Sequence, residues 1–157
     1  DDRIDLWYKR KKKEGRFMKF VHIADAHFDI PFTTLNNTLQ AGEERRLDQR
    51  RAFKKAIQYI KENQIPYLWI AGDFYEQEFI RESTIQYLDG LFREIPNTKI
   101  YIAPGNHDPY IKNSYYEKYQ WSSNVTILKP GIQYYQEPEF DLYGFGFGAF
   151  HCNNARN

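Results

Sequence analysis

Three short apolar segments each run straight into residues able to bind a divalent metal ion, and that coincidence constrains the fold more than any other feature of the chain. Phe20-Val21-His22-Ile23 leads to Asp25-Ala26-His27, Tyr67-Leu68-Trp69-Ile70 leads to Gly72-Asp73, and segment 99–103 leads to Gly105-Asn106-His107-Asp108. Short apolar runs bounded by Gly, Pro or Asp read as buried strands. Between them lie stretches of helical period: Phe53, Ala56, Ile57 and Ile60 at i, i+3, i+4 and i+7, then Ile85, Leu88, Leu91 and Phe92. The expected elements are strands over 19–24, 67–71 and 99–103, helices over about 47–63 and 80–94, and a loop over 25–41. This β-α-β-α-β order predicts an α/β fold with a parallel sheet and right-handed crossovers. In such a sheet, ligands gather beyond the carboxyl ends of the strands.

After Asp108 the pattern changes. Segments 125–128, 132–136 and 140–147 are strand candidates separated by Pro130-Gly131 and Pro138, a spacing expected of antiparallel hairpins. At 157 residues, with 41% hydrophobic residues including 12 Phe and 13 Tyr, the chain suits one packed domain and not a disordered one. No apolar run nears the roughly 18 residues that cross a bilayer, and no signal-peptide pattern is present, so no membrane association is expected. The single cysteine, Cys152, excludes an internal disulfide and suits a reducing cytoplasm, the expected location. Net charge is +1, so any contact with nucleic acid has to come from a local patch. Residues 1–17, with Lys9-Arg10-Lys11-Lys12-Lys13, are expected to be a flexible, solvated basic extension before a domain that begins at Met18. A basic arm for nucleic acid is the alternative.

Two carboxylates, an imidazole and an amide at neighbouring strand ends would supply most of a two-metal hydrolytic centre. Asp73, in the central segment, is the natural carboxylate to bridge two ions. Asp25 and His27 are one residue apart and in extended backbone would point the same way, gripping one ion together. Asn106 offers a neutral carbonyl oxygen to the other ion. His107, adjacent to it, should point away from Asn106 toward substrate, as proton donor or stabiliser of transition-state charge. Asp108 is expected to hydrogen-bond that imidazole and hold its orientation.

These residues carry a resemblance. Asp25-Ala-His27, Gly72-Asp73 and Gly105-Asn-His-Asp108 resemble the successive motifs of calcineurin-like metallophosphoesterases. Within that superfamily, Phe20-Val-His-Ile-Ala-Asp-Ala-His27 and Ile70-Ala-Gly-Asp-Phe-Tyr-Glu76 are similar to SbcD-type DNA repair exonucleases. The resemblance implies an αββα sandwich and a two-metal phosphodiesterase, commonly manganese-dependent, acting on DNA. It assigns metal binding to Asp25, His27, Asp73 and Asn106 and catalysis to His107. An SbcC-like coiled-coil ATPase partner is implied as well. Protein serine/threonine phosphatases of the superfamily carry Asp-Arg-Gly after the second motif and Glu after Asn-His. Phe74-Tyr-Glu-Gln77 and Asp108 stand here instead. The family also completes its site with a later Gly-His-x-His motif, whereas the only histidine after His107 is His151. Residues 18–157 are therefore expected to be the N-terminal part of a metallophosphoesterase domain, a sandwich truncated after its first βαβαβ half and a few antiparallel strands.

Other readings remain open: a phosphoesterase for nucleotides or other small phosphates, or a non-catalytic binding or scaffold fragment. His22 is expected to sit in the core or to support a ligand, and His151-Cys152 to be structural and not a zinc site. The basic face from Arg50 to Lys61 is expected to be solvated, with Tyr115, Tyr116 and Tyr119 used in packing and not for stacking on bases.

Overall fold

The fold is that of a computed structural model, which describes residues 8–9, 17–31 and 39–150. In chain order the elements are β1 (Tyr8–Lys9), β2 (Phe20–Ala24), α1 (Leu39–Glu62), β3 (Tyr67–Ala71), α2 (Glu82–Arg93), β4 (Lys99–Ala103), α3 (Tyr115–Lys118), β5 (Val125–Ile127), β6 (Gln133–Gln136) and β7 (Asp141–Gly144). The basic residues 10–13 and the His151-Cys152 pair lie outside the described residues.

Strands β2, β3, β4 and β5 form a parallel sheet in that order. Its register aligns Ala24 with Ala71 and Ala71 with Ala103, so three strands end at the same level. Alternation along these strands divides the chain into layers. Leu68, Ile70, Ile100 and Ile102 face α1 and α2, where Phe53, Ile57, Ile60, Ile85, Leu88 and Phe92 complete one core. Tyr67, Tyr101 and Ala103 face the other way, against Phe140 and Leu142 at the antiparallel sheet β1-β7-β6. The result is a mixed α/β architecture of helices, parallel sheet and antiparallel sheet. No helix among the described residues is long and apolar enough to cross a membrane.

Three expectations are corrected. Helix α1 starts at Leu39, well before residue 47. Segment 39–46 is rich in helix-favouring Leu, Gln, Glu and Arg but lacks an apolar stripe, so periodicity is silent there. Strand β5 pairs parallel to β4, with Ile100 opposite Val125, instead of opening a hairpin. The connection through α3 is long enough to bring the chain back in the same direction, as a parallel pairing requires. The antiparallel hairpin is β6–β7 alone. Finally, β2 is an edge strand and not a buried one: Phe20 is 43% exposed, and His22 points to solvent on the same face. His22 is thus not a core residue. Phe20 instead covers Trp69, with ring centroids 4.2 Å apart.

A carboxylate joins the two sheets. Glu137, in the β6–β7 turn, is 7% exposed and accepts hydrogen bonds from Tyr101 Oη and from Lys99 Nζ, the latter at 2.5 Å. Burial, then the Glu137 hydrogen bond, pushes the Tyr101 phenol well above its ordinary range. Glu137→Ala strips the acceptor from the Tyr101 hydroxyl while the exposed Lys99 ammonium rehydrates. The expected cost is about 1–3 kcal/mol, read as a lowered urea midpoint with an unchanged slope. An unaltered midpoint would show that the sheets are held by apolar packing alone.

Candidate metal and catalytic site

The level strand ends deliver Asp25, Asp73 and the 105–108 loop to one edge of the sheet, and hydrogen bonding continues past the strands. Asp25 N donates to Gly72 O at 3.3 Å, His27 N to Asp73 O at 2.8 Å, and Gly72 N to Ala103 O at 2.8 Å. The backbone there is not extended. Asp25, His27 and Asp73 have φ of 52°, 48° and 47°, in the left-handed region, so the argument that extended backbone aligns Asp25 with His27 does not hold. Non-glycine residues held there cost on the order of 1–3 kcal/mol each and cluster at functional sites. The convergence survives by this other route: ligand atoms of Asp25, His27 and Asp73 all lie within 4.8 Å of one another. His27 Nε2 stands 4.0 Å from Asp73 Oδ2.

Asp73 holds the centre. Its Oδ1 accepts the His107 backbone N–H at 2.9 Å, while Oδ2 faces His27. Gly105 is required for this approach, because a Cβ there would stand 2.3 Å from Asp73 Oδ1 and 2.5 Å from Asp73 N. Asn106 is exposed between Gly105 and His107, at the same strand end.

Asp108 differs from its expected role. It is fully buried and makes no hydrogen bond to the His107 ring. It accepts instead from Gly105 N at 2.7 Å, Phe74 N at 2.8 Å and the Tyr116 hydroxyl. Its carboxylate pins the loops after β3 and β4 together. Burial pushes its pKa up to about 6 despite these three hydrogen bonds, which act in the opposite sense.

The imidazole's partner is Glu76. Its carboxylate, in a residue 8% exposed, meets His27 Nδ1 at 2.7 Å through Oε1 and His107 Nδ1 at 3.0 Å through Oε2. The two rings stand edge to face, 5.1 Å apart. With Nδ1 of His27 engaged by a carboxylate, Nε2 is left as the lone-pair nitrogen facing Asp73, the arrangement that suits a metal-binding histidine. The Glu76 hydrogen bond raises the His107 pKa above its ordinary value, outweighing partial burial. Sequence reasoning quoted Glu76 at the end of the second motif and gave it no role. The available signal was a carboxylate three residues after Asp73, beyond one turn of chain.

Asp25, His27 and Asp73 thus offer two carboxylates and one imidazole, hard and borderline donors that fit a divalent ion. The family model of the calcineurin-like phosphoesterases matches residues 18–156. No curated protein matches the chain.

If Glu76 orients His27, Glu76→Ala should weaken Mn²⁺ binding about 10–100-fold, the usual effect of removing a partner behind a ligand. Titration calorimetry with Mn²⁺ measures this directly. Unchanged affinity, with folding intact by circular dichroism, would restrict Glu76 to His107.

Proposed function

Because the chain belongs to the calcineurin-like phosphoesterase family, a family of metal-dependent phosphoester hydrolases, we propose that it is a two-metal phosphodiesterase acting on DNA, an exonuclease of the SbcD kind. The observation that carries this reading is the convergence of Asp25, His27 and Asp73 within 4.8 Å at the ends of adjacent parallel strands, with His107 beside them. The donor set suits Mn²⁺, and we take the protein to work in the cytoplasm with a coiled-coil ATPase partner of the SbcC kind. The DNA assignment draws on the strand-and-motif resemblance of residues 20–27 and 70–76.

In this reading Asp25, His27, Asp73 and Asn106 would hold the two ions. Bound divalent ions would activate water and neutralise phosphate oxygens. The chain's own residues do the rest. Glu76 fixes Nδ1 of both histidines, so His27 turns Nε2 toward Asp73 and His107 turns Nε2 away from the carboxylate. The Glu76 carboxylate favours the protonated form of His107, which suits a donor of a proton to the leaving oxygen. Asp108 acts through the backbone, keeping Asn106 and His107 in register with Asp73.

Asp73→Ala should abolish binding of the ion pair, and His27→Ala should mainly weaken one ion. His107→Ala should retain both Mn²⁺ ions yet lose about 10²–10⁴-fold in turnover. An H107A protein that loses an ion would make His107 a ligand, and one with full turnover would leave it no chemical role. Substrate class is settled by comparing hydrolysis of duplex DNA, bis-p-nitrophenyl phosphate and mononucleotides. Cleavage of the mononucleotides alone would overturn the exonuclease assignment.

A further inference from the structure

Next to the loop that carries Asp25 and His27, a cavity of about 520 Å³ opens against α1 and the start of α2. It falls within the range of small-ligand pockets, roughly 300–1,000 Å³. Three arginines line it, Arg46, Arg50 and Arg81. Arg46 and Arg50 are four residues apart on α1 and share a face, a like-charge spacing that works against the helix. Arg50 is held in place by Thr84 Oγ1 at 3.0 Å and lies 5.2 Å over the Tyr87 ring. Asp29 answers Arg50 only at 4.0 Å, because one of its oxygens accepts from Thr84 Oγ1 at 2.7 Å and from Arg81 N at 3.1 Å. The side chains of Arg46 and Arg81 have no ion-pair partner among the described residues, Glu43 on the same wall included.

The rest of the wall is mixed, with Asp29, Glu43 and Ser83 beside the apolar Pro31, Leu47 and Phe79. Leu47 is 51% exposed and Phe79 is 49% exposed, both bordering the cavity. A guanidinium matches the planar, bidentate geometry of a phosphate, three arginines border one cavity, and an exposed ring beside them offers a face for a base. Position completes the case. Gln49, next to Arg50, donates to Ala26 O between the two loop residues of the metal site, and Asp29 follows His27 by two residues. Two residues span at most about 7 Å, so the cavity and the metal site share one loop as a wall.

We propose that this cavity is a subsite for the nucleotide adjoining the phosphodiester bond at the metal site. Its phosphate lies on Arg46, Arg50 and Arg81, and its base lies against Phe79 and Leu47. The proposal rests on the hydrolase reading for its neighbour but not for its own chemistry, since a free nucleotide carries the same groups.

The test is read without metal, in EDTA, so that binding is scored apart from hydrolysis. Fluorescence anisotropy with a labelled single-stranded hexanucleotide is followed across a salt series for wild type, R46A/R81A and R46K/R81K. In R46A/R81A the affinity should fall on every sequence and the salt slope should lessen by about one, while R46K/R81K keeps most of the slope. Competition should be stronger from dAMP than from inorganic phosphate, because the base adds its own contact. Equal affinity and slope in wild type and R46A/R81A, at matched melting temperature, would overturn the subsite. Equal competition by phosphate and dAMP would overturn the base-packing role of Phe79 and Leu47. Affinity for dAMP matching that for the hexanucleotide would make this a free-nucleotide site and overturn the strand assignment. In parallel, Mn²⁺-dependent release from bis-p-nitrophenyl phosphate is measured on the wild-type protein. Its absence from wild type would defeat the hydrolase reading while leaving the binding arms decisive for the cavity.

Discussion

The buried carboxylate of Asp108 is the constraint on which the site geometry depends. A carboxylate withdrawn from water is costly, and burial, against the opposing hydrogen bonds, still leaves its pKa raised to about 6. The cost is offset by donors from three separate parts of the chain: Phe74 N after β3, Gly105 N after β4 and Tyr116 Oη from α3. Two of these are backbone groups of the loops after β3 and β4. Asp108 therefore fixes the spacing of the loops that carry Asp73 and His107. Tyr116 is itself buried at 4% exposure, so the short helix α3 is anchored from the site outward. Beyond that anchor the chain returns to lay β5 parallel to β4.

Sequence carried the strands best because their signal is one-dimensional. Segment 67–71 and segment 99–103 match β3 and β4, since continuous apolar runs end where the first polar ligand appears. The convergence of Asp25, His27 and Asp73 was also legible, because strand ends in register place their next residues side by side. What was not legible depended on contacts formed only in three dimensions. Left-handed backbone at Asp25 and His27 is set by bonds to the Gly72 and Asp73 carbonyls, which no local pattern announces. Proximity in sequence suggested that Asp108 serves His107, yet the loop turns so that Glu76, remote in sequence, takes that place. The start of α1 was missed because its first residues carry propensity without periodicity.

The ladder that crosses the site shows how the strain is held. Beyond the sheet, Phe28 N donates to Phe74 O at 3.0 Å and Glu76 N to Phe28 O at 3.0 Å, while Gln77 N reaches His107 O at 3.0 Å. These bonds knit all three motif loops into one unit over a packed aromatic cluster of Phe28, Phe53 and Phe74. A left-handed residue in a free loop would relax. Here relaxation would break ladder bonds and disturb a core in which Phe28 and Phe74 are 1% and 0% exposed. The ligand geometry is thus preorganised by the core instead of being assembled by the ion.

Charge completes the argument. Asp25, Asp73 and Glu76 crowd one strand end, with only His27 and His107 among them. Like charges this close destabilise the fold unless something positive intervenes. Glu76 is answered from within the chain, by both imidazoles. Asp73 is answered more weakly, by the neutral His107 backbone N–H at Oδ1 and by His27 Nε2 only at 4.0 Å from Oδ2. The chain resolves the repulsion on one side of His27 and leaves it unresolved on the other. That uneven distribution leaves the Asp25 and Asp73 carboxylates a donor set suited to a divalent cation, while the His107 ring pairs with Glu76.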